Sequence, residues 1–379
     1  MSTDETMATV PLQSHLLREL TRIVCSRSQF ERRYKPTSCI GRLIAAGERS
    51  LKALREVIED DVWITRVGDS EMRFEFCGIY WEVDELFLNN LFIKWARRLH
   101  AFTFHWLYDL PRQGFVKAMV ENEDLEELSI GRWSKNDWPM ILEIFPKLIS
   151  MTMSSVQFAD MLENSPKEHF HLKEIRLKDD EGTLGVALQA LLTHRTKCPN
   201  LEAIFYFDDS MKPVEIPESE ITIPTIKHLG IDITTECCAK LDFSILDAAN
   251  KLFPSLESVY ITVNSHCHDH DVRKVDSIDE LYEAFHLLRF GFFVELYYRE
   301  KLNPSVENLE ELHQHLAAKG KLYGYQTCFT VETLYPEKAL IHKVVVSGYE
   351  DDYDEVTYFC GDSSSDDLLS DDGSFGFSD

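Results

Sequence analysis

The sequence predicts an α/β solenoid with parallel strands on a concave face, helices on a convex face and a helical cap at the N-terminal end. Three observations predict it. The pattern apolar-x-x-apolar-x-apolar recurs in RRLHAFTFHWL, EDLEELSIGRW, FPKLISMTMSSV, HFHLKEIRLKDD, CPNLEAIFYFDD, IPTIKHLGIDIT and FPSLESVYITVN. The first apolar positions are Leu99, Leu125, Leu148, Leu172, Leu201, Ile226 and Leu256, a recurrence with some scatter, as in chains built from stacked repeats. Within each segment the fourth and sixth positions alternate as on a strand with one buried face, for example Ile175/Leu177 and Val259/Ile261. Between the segments, apolar residues fall three and four apart, as on helices packing back against those strands.

Along the chain, residues 1–9 are expected to be disordered, and 10–95 form a helical capping region with a hairpin. VPLQSHLLRELTRIV (10–24) and CIGRLIAAGERSLKALREVI (39–58) carry apolar stripes at helical spacing. VWITRVGDSEMRFEFCGIY (62–80) reads as a hairpin around Gly68-Asp69, and DELFLNNLFIKWARRL (84–99) as a helix. The repeats occupy 96–276, with helices expected at 113–120, 138–145, 155–162, 184–192 and 243–253. A unit of one strand and one helix cannot bury its own apolar face, so the units must stack. An ordinary α/β sheet of alternating elements is the competing reading. In 277–349, SIDELYEAFHLLRFGFFVELYYREKL and SVENLEELHQHLAAKG read as two helices, followed by closing strands in LYGYQTCFTVETL and ALIHKVVVSG. Residues 350–379 hold eleven acids and no base, an acidic tail expected to be disordered. Its Ser363 and Ser364 precede Asp366 and Asp367 in a pattern that acidophilic kinases favour.

The repeat resembles the leucine-rich-repeat superfamily, whose signature is L-x-x-L-x-L-x-x-N/C-x-L. Leu256, Val259, Ile261 and Asn264 fall on its L, L, L and N positions, while Asp180, Asp209, Trp133 and Val156 replace the asparagine elsewhere, so the solenoid is irregular. Short helices ahead of such repeats resemble substrate receptors of cullin-RING ubiquitin ligases, whose F-box or elongin-binding box docks to the ligase. Pro11-Leu12 with Leu16, Leu17 and Leu20 looks like the opening of either box. The resemblance implies that Leu12, Leu16, Leu17 and Leu20 dock a ligase adaptor and that the repeats hold a protein target. The alternative is an acidic binder or inhibitor of a basic partner, resembling the acidic leucine-rich nuclear phosphoproteins.

By strand alternation the third, fifth and seventh positions of a repeat point away from the core. There stand Glu174, Arg176 and Lys178, then Phe205 and Phe207, then His228 and Asp232, and finally Tyr260. Aromatic anchors beside a guanidinium are typical of a binding hot spot, so these residues are the candidate target-binding surface. The competing expectation is that the loop 209–220 covers Phe205 and Phe207.

Other chemistry finds little footing. Acids outnumber bases 65 to 39, a formal charge of −26 that disfavours nucleic acid. No apolar run is long enough to span a membrane and MSTDETMATV does not read as a secretory signal, so a cytoplasmic or nuclear location is expected. Nine cysteines without CxxC spacing read as reduced, mostly buried thiols. His266-Cys267-His268-Asp269-His270 offers five potential ligands, but on an extended chain they alternate sides, so the stretch reads as a loop with no metal. No phosphate loop, GxSxG elbow or HExxH is present. The chain is therefore expected to bind protein, without a cofactor and without catalysis.

Overall fold

The computed structural model describes residues 14–27, 42–43, 45–67, 71–76, 79–82, 86–103, 121–122, 124–132, 147–165, 168–169, 171–179, 183–208, 214–236, 241–266, 275–302, 309–325 and 328–346. The helices expected at 113–120 and 138–145, Leu12, Cys267 to His270 and the segment 350–379 lie outside them.

Every repeat segment supplies a strand, and the strands join one sheet. They are β4 (Arg98–Thr103), β5 (Glu127–Arg132), β6 (Ser150–Met153), β7 (Glu174–Asp179), β8 (Ala203–Asp208), β9 (His228–Glu236) and β10 (Ser258–His266). N-terminal to them stand β1 (Val62–Val67), β2 (Glu71–Phe76) and β3 (Ile79–Glu82); C-terminal stand β11 (Phe293–Leu302), β12 (Lys321–Tyr325), β13 (Cys328–Tyr335) and β14 (Lys338–Val346). The order is β12-β13-β14-β11-β10-β9-β8-β7-β6-β5-β4-β1-β2-β3, an open sheet of fourteen strands. From β4 to β11, spatial order is sequence order. All pairs from β1 through β4–β11 to β14 are parallel, and antiparallel hairpins finish both ends.

The repeat is written most directly in the backbone. The carbonyl of Arg97 accepts hydrogen bonds from the amides of Glu126 and Glu127, and that of Glu126 from Ile149 and Ser150. Ile149, Lys173, Glu202 and Lys227 each take the next two amides in the same way, at 2.7–3.1 Å. Each strand is thus registered at its first residue, and equivalent side chains form rows across the sheet. One row holds Leu99, Leu128, Met151, Ile175, Ile204, Leu229, Val259 and Val294. All of these are buried.

Eight helices are described: α1 (Ser14–Arg27), α2 (Glu48–Asp61), α3 (Leu86–Trp95), α4 (Ser155–Asn164), α5 (Leu184–Thr193), α6 (Ser244–Leu252), α7 (Val275–Leu287) and α8 (Leu309–Ala317). Those from α2 to α8 bury their apolar stripes in a single core with the rows above, as Phe158, Leu188, Leu246 and Phe285 do. Helix α4 starts abruptly because Ser154 and Gln157 form a capping box that satisfies the first free amides. That places Val156, at an asparagine position of the signature, inside a helix.

Two buried polar side chains close helix ends from the following unit. The Asn122 amide donates to the carbonyls of Ile93 and Ala96 at 2.7 Å. The Lys338 ammonium donates to those of Phe285, His286 and Leu288 at 2.7, 2.7 and 2.8 Å. Carbonyls in the last turn of a helix run out of helical amides, and a cation at a helix C-terminus also meets the macrodipole. Lys338 therefore stands opposite Val294, in a row that is otherwise apolar.

Two expectations are corrected. Residues 293–302, read as the second half of a helix, are strand β11. Val294, Leu296, Tyr298 and Glu300 are buried in alternation, and the helix before them stops at Leu287, short of Gly291. Leu99, taken as the first apolar position of its unit, pairs with Leu128 and so occupies the fourth. Buried Ala96 stands at the first, which lengthens the interval to Leu125. Asn264 lies within β10, which continues to His266, and its amide donates to the Asp232 carboxylate at 2.9 Å.

Cys198 is buried, its thiol pushed up to about 12 by that burial, and Cys328 is half-buried. No described helix is long and apolar enough to cross a membrane.

Leu128, Ile175, Leu201 and Val259 are all within the core. Leu201→Ala is expected to cost about 2–5 kcal/mol in chemical denaturation, through the cavity it leaves; a loss below about 1 kcal/mol contradicts the packing. His169, 2.8 Å from Ser165 Oγ, has its pKa lowered from 6.5 to about 4 by burial and then by the charge of Lys197. The folded imidazole stays neutral while the unfolded one takes a proton, so stability is lost as pH falls from about 6.5 towards 4. In urea midpoints against pH, the wild type should fall more steeply across that window than His169→Gln; parallel curves contradict the assignment.

Candidate functional site

The helices cover one side of the sheet, and the intervening rows face the other. Glu174, Arg176 and Lys178 on β7 alternate with buried Ile175 and Leu177, and Phe205 and Phe207 on β8 alternate with buried Ile204 and Tyr206. His228 and Asp232 on β9 and Tyr260 on β10 follow the same rule. Pairing sets Arg176 beside Phe205, Phe205 beside Gly230 and Gly230 beside Tyr260, with Lys178, Phe207, Asp232 and Thr262 as the next row. The structure thus brings all eight predicted residues onto one face of four adjacent strands.

Polar groups on this face are organised by local bonds. Glu174 accepts from Arg176 Nε at 2.7 Å and from Ser150 Oγ at 3.1 Å. His228 Nδ1 lies 2.8 Å from Ser258 Oγ. Arg98 pairs with Glu127 at 3.4 Å. Burial raises the Glu127 carboxyl above its ordinary value, against the opposing pull of Arg98 and Arg176.

Glycine at 230 has a specific reason. A Cβ there would stand 2.2 Å from Cδ1 of Phe205, so the ring lies over a backbone that only glycine leaves open. Phe205 and Phe207 remain half-buried. The loop expected to cover them turns elsewhere in its described part. The Glu215 carbonyl lies against Gly185 at the start of α5, and Val214 and Ile216 pack on the core.

Sequence reasoning missed the extension of this face. Strand β11 adds Glu295, Tyr297 and Arg299, paired with Tyr260, Thr262 and Asn264, and β14 adds Lys343 beside Arg299. Reading 293–302 as helix hid them, although the alternation Val294-Leu296-Tyr298 was available. Burial, then repulsion from Glu332, raises the Glu295 carboxyl.

At the opposite end of the chain, α1 packs on α2, with Arg18 bonded to Asp60 at 2.8 Å. Of the predicted docking residues, Leu17 is half-buried, whereas Leu16 (47%) and Leu20 (45%) are exposed and continue to Ile23 (45%). These three make an apolar stripe turned away from α2.

The core beneath β10, β11 and β14 holds a separate polar pair. Glu300 Oε2 lies 3.2 Å from His342 Nε2, both fully buried, with Tyr282 stacked on the imidazole and Tyr298 edge-on to it. Among the described residues no group of three or more His, Cys, Asp or Glu could hold a metal ion. A shallow groove lies between α4 and α5, lined by Ala159, Glu163, Val186, Gln189, Ala190 and His194.

Fold and face define an α/β protein with one open, mostly parallel sheet and an aromatic–charged surface opposite its helices. No family model, curated protein or solved structure matches the chain.

The Phe205–Gly230 contact is testable by a double-mutant cycle. Gly230→Ala should cost about 1–3 kcal/mol, the usual cost of overpacking, and clearly less when Phe205 is already alanine. Equal costs in both backgrounds, measured by urea denaturation, would mean that the ring does not rest on Gly230.

Proposed function

We propose that this protein is an irregular leucine-rich-repeat solenoid that holds a protein target on its open sheet face, as the substrate-recognition subunit of a cullin-RING ubiquitin ligase. The serial order of strands β4 to β11 supports the solenoid reading, since stacked strand–helix units produce that order. The observation that carries the binding role is the row Arg176–Phe205–Gly230–Tyr260, half-buried aromatics beside a guanidinium on the side opposite the helices. Such anchors give the partner apolar area at low entropic cost, and single truncations in them cost about 2 kcal/mol or more of affinity. The stripe Leu16–Leu20–Ile23 supports adaptor docking, because an apolar helix face beside a packed helix pair is what a partner helix would bury.

Two variants of the full chain separate the roles. Phe205→Ala with Tyr260→Ala should lose the target, keep the cullin-ligase adaptor and leave the melting temperature nearly unchanged. Leu16→Glu with Leu20→Glu should lose the adaptor and keep the target. Co-precipitation with quantitative mass spectrometry reads both. No adaptor with the wild-type chain sinks the ligase role, leaving an acidic binder of a basic partner. A large loss of stability in the first variant shows that the aromatics are core.

A further inference from the structure

The C-terminal corner of the open face is basic, in a chain of formal charge −26. Arg299 and Lys301 on β11 and Lys343 on β14 stand on the side opposite buried Tyr298, Glu300, His342 and Val344. Arg299 pairs directly with Lys343, and Lys301 with Val345. Tyr297 lies two residues back on the same face, followed across the sheet by Thr262 and, one row further back, by Tyr260. The nearest acid of this strand on that face, Glu295, is two positions beyond Tyr297, and burial holds its carboxyl towards the neutral form.

Strand β14 ends at this corner. Val346, the last residue of β14, pairs with Leu302, next to Lys301. Shortly beyond comes EDDYDEVTYF (350–359), five acids interleaved with Tyr353, Val356, Tyr358 and Phe359, and six more acids follow by residue 379. Without the eleven acids of 350–379 the formal charge falls from −26 to −15, so this segment is the densest source of negative charge beside the corner.

We propose that residues 350–359 dock on the open face, carboxylates against Arg299, Lys301 and Lys343 and aromatic side chains against Tyr297 and Tyr260. Reach is sufficient. Tyr260 lies two strands from β14, about 10 Å to the side, and in register with Ala339, seven residues or about 23 Å back along the strand from Val346; the ten residues from 347 to Val356 span about 33 Å when extended. Each exposed ion pair contributes little alone. Tethering compensates, because a short linker holds the segment at an effective concentration of the order of millimolar. A segment seated there occupies the end of the face proposed to hold the target, so a target must displace it. The contact itself requires no target.

Zero-length carbodiimide cross-linking of the full chain tests this. Equal amounts of ¹⁴N and ¹⁵N protein are mixed, so that peptides joined within one molecule differ in mass from those joined between two. Each yield is normalised to the acylation rate of the same lysine. The expected result is intramolecular coupling of Lys301 and Lys343 to acids of 350–359, at least about fivefold above exposed Lys52 and Lys251 on the helix side. It should drop several-fold in 0.5 M NaCl and in Arg299→Glu, which leaves both lysines in place. Coupling only between two copies, yields equal to those at Lys52 and Lys251, or no change in Arg299→Glu overturns the proposal. Loss of target capture by the Phe205 and Tyr260 variants bears on the proposed function alone, since the cross-link is read without a target.

Discussion

The structure depends on one recurring constraint, the carbonyl just before each repeat strand that accepts two amides from the next unit. From Arg97 to Lys227 this acceptor returns before every repeat strand, while the connections between the strands differ in length. Connection length can vary because loop-closure entropy changes slowly with length, whereas a lost register would turn the whole apolar set of a strand to the wrong face. The buried row from Leu99 to Val294 follows from this registration, and so does the opposite face, because each strand has only two sides.

The ends of the sheet meet a different requirement. A parallel stack leaves unpaired edges that invite association, and both are finished by antiparallel hairpins, β1–β2–β3 on one side and β14–β13–β12 on the other. Near the second end the core becomes polar. Lys338 closes helix α7, and Glu300 meets His342 below the same strands. Buried charges and polar groups of this kind cost more to leave unpaired than they contribute when paired, so they specify how β11, β14 and α7 meet more than they stabilise them.

Alternation in the sequence was enough to place Glu174, Arg176, Lys178, Phe205, Phe207, His228, Asp232 and Tyr260 on one side of their strands. It failed at Phe293–Leu302, where Glu and Arg interrupt an apolar run that follows a true helix, and spacing alone could not separate strand from helix continuation. It also misplaced Leu99, because Ala96 is too small to mark the first position of a repeat.

By itself, then, the sequence determined where the seven repeat strands lie, which sides of them are buried and that neighbouring units must stack, since the strand alternation and the repeat period are local properties of the chain. Tertiary structure alone decided that Phe205 rests on Gly230, that Asn264 bonds Asp232, that Lys338 reaches the end of α7 and that Glu300 finds His342. In each case the partner belongs to a different strand or helix, distant along the chain. Such pairs are set by the register between strands and the rotation of helices on the sheet, and no periodicity within one segment encodes either.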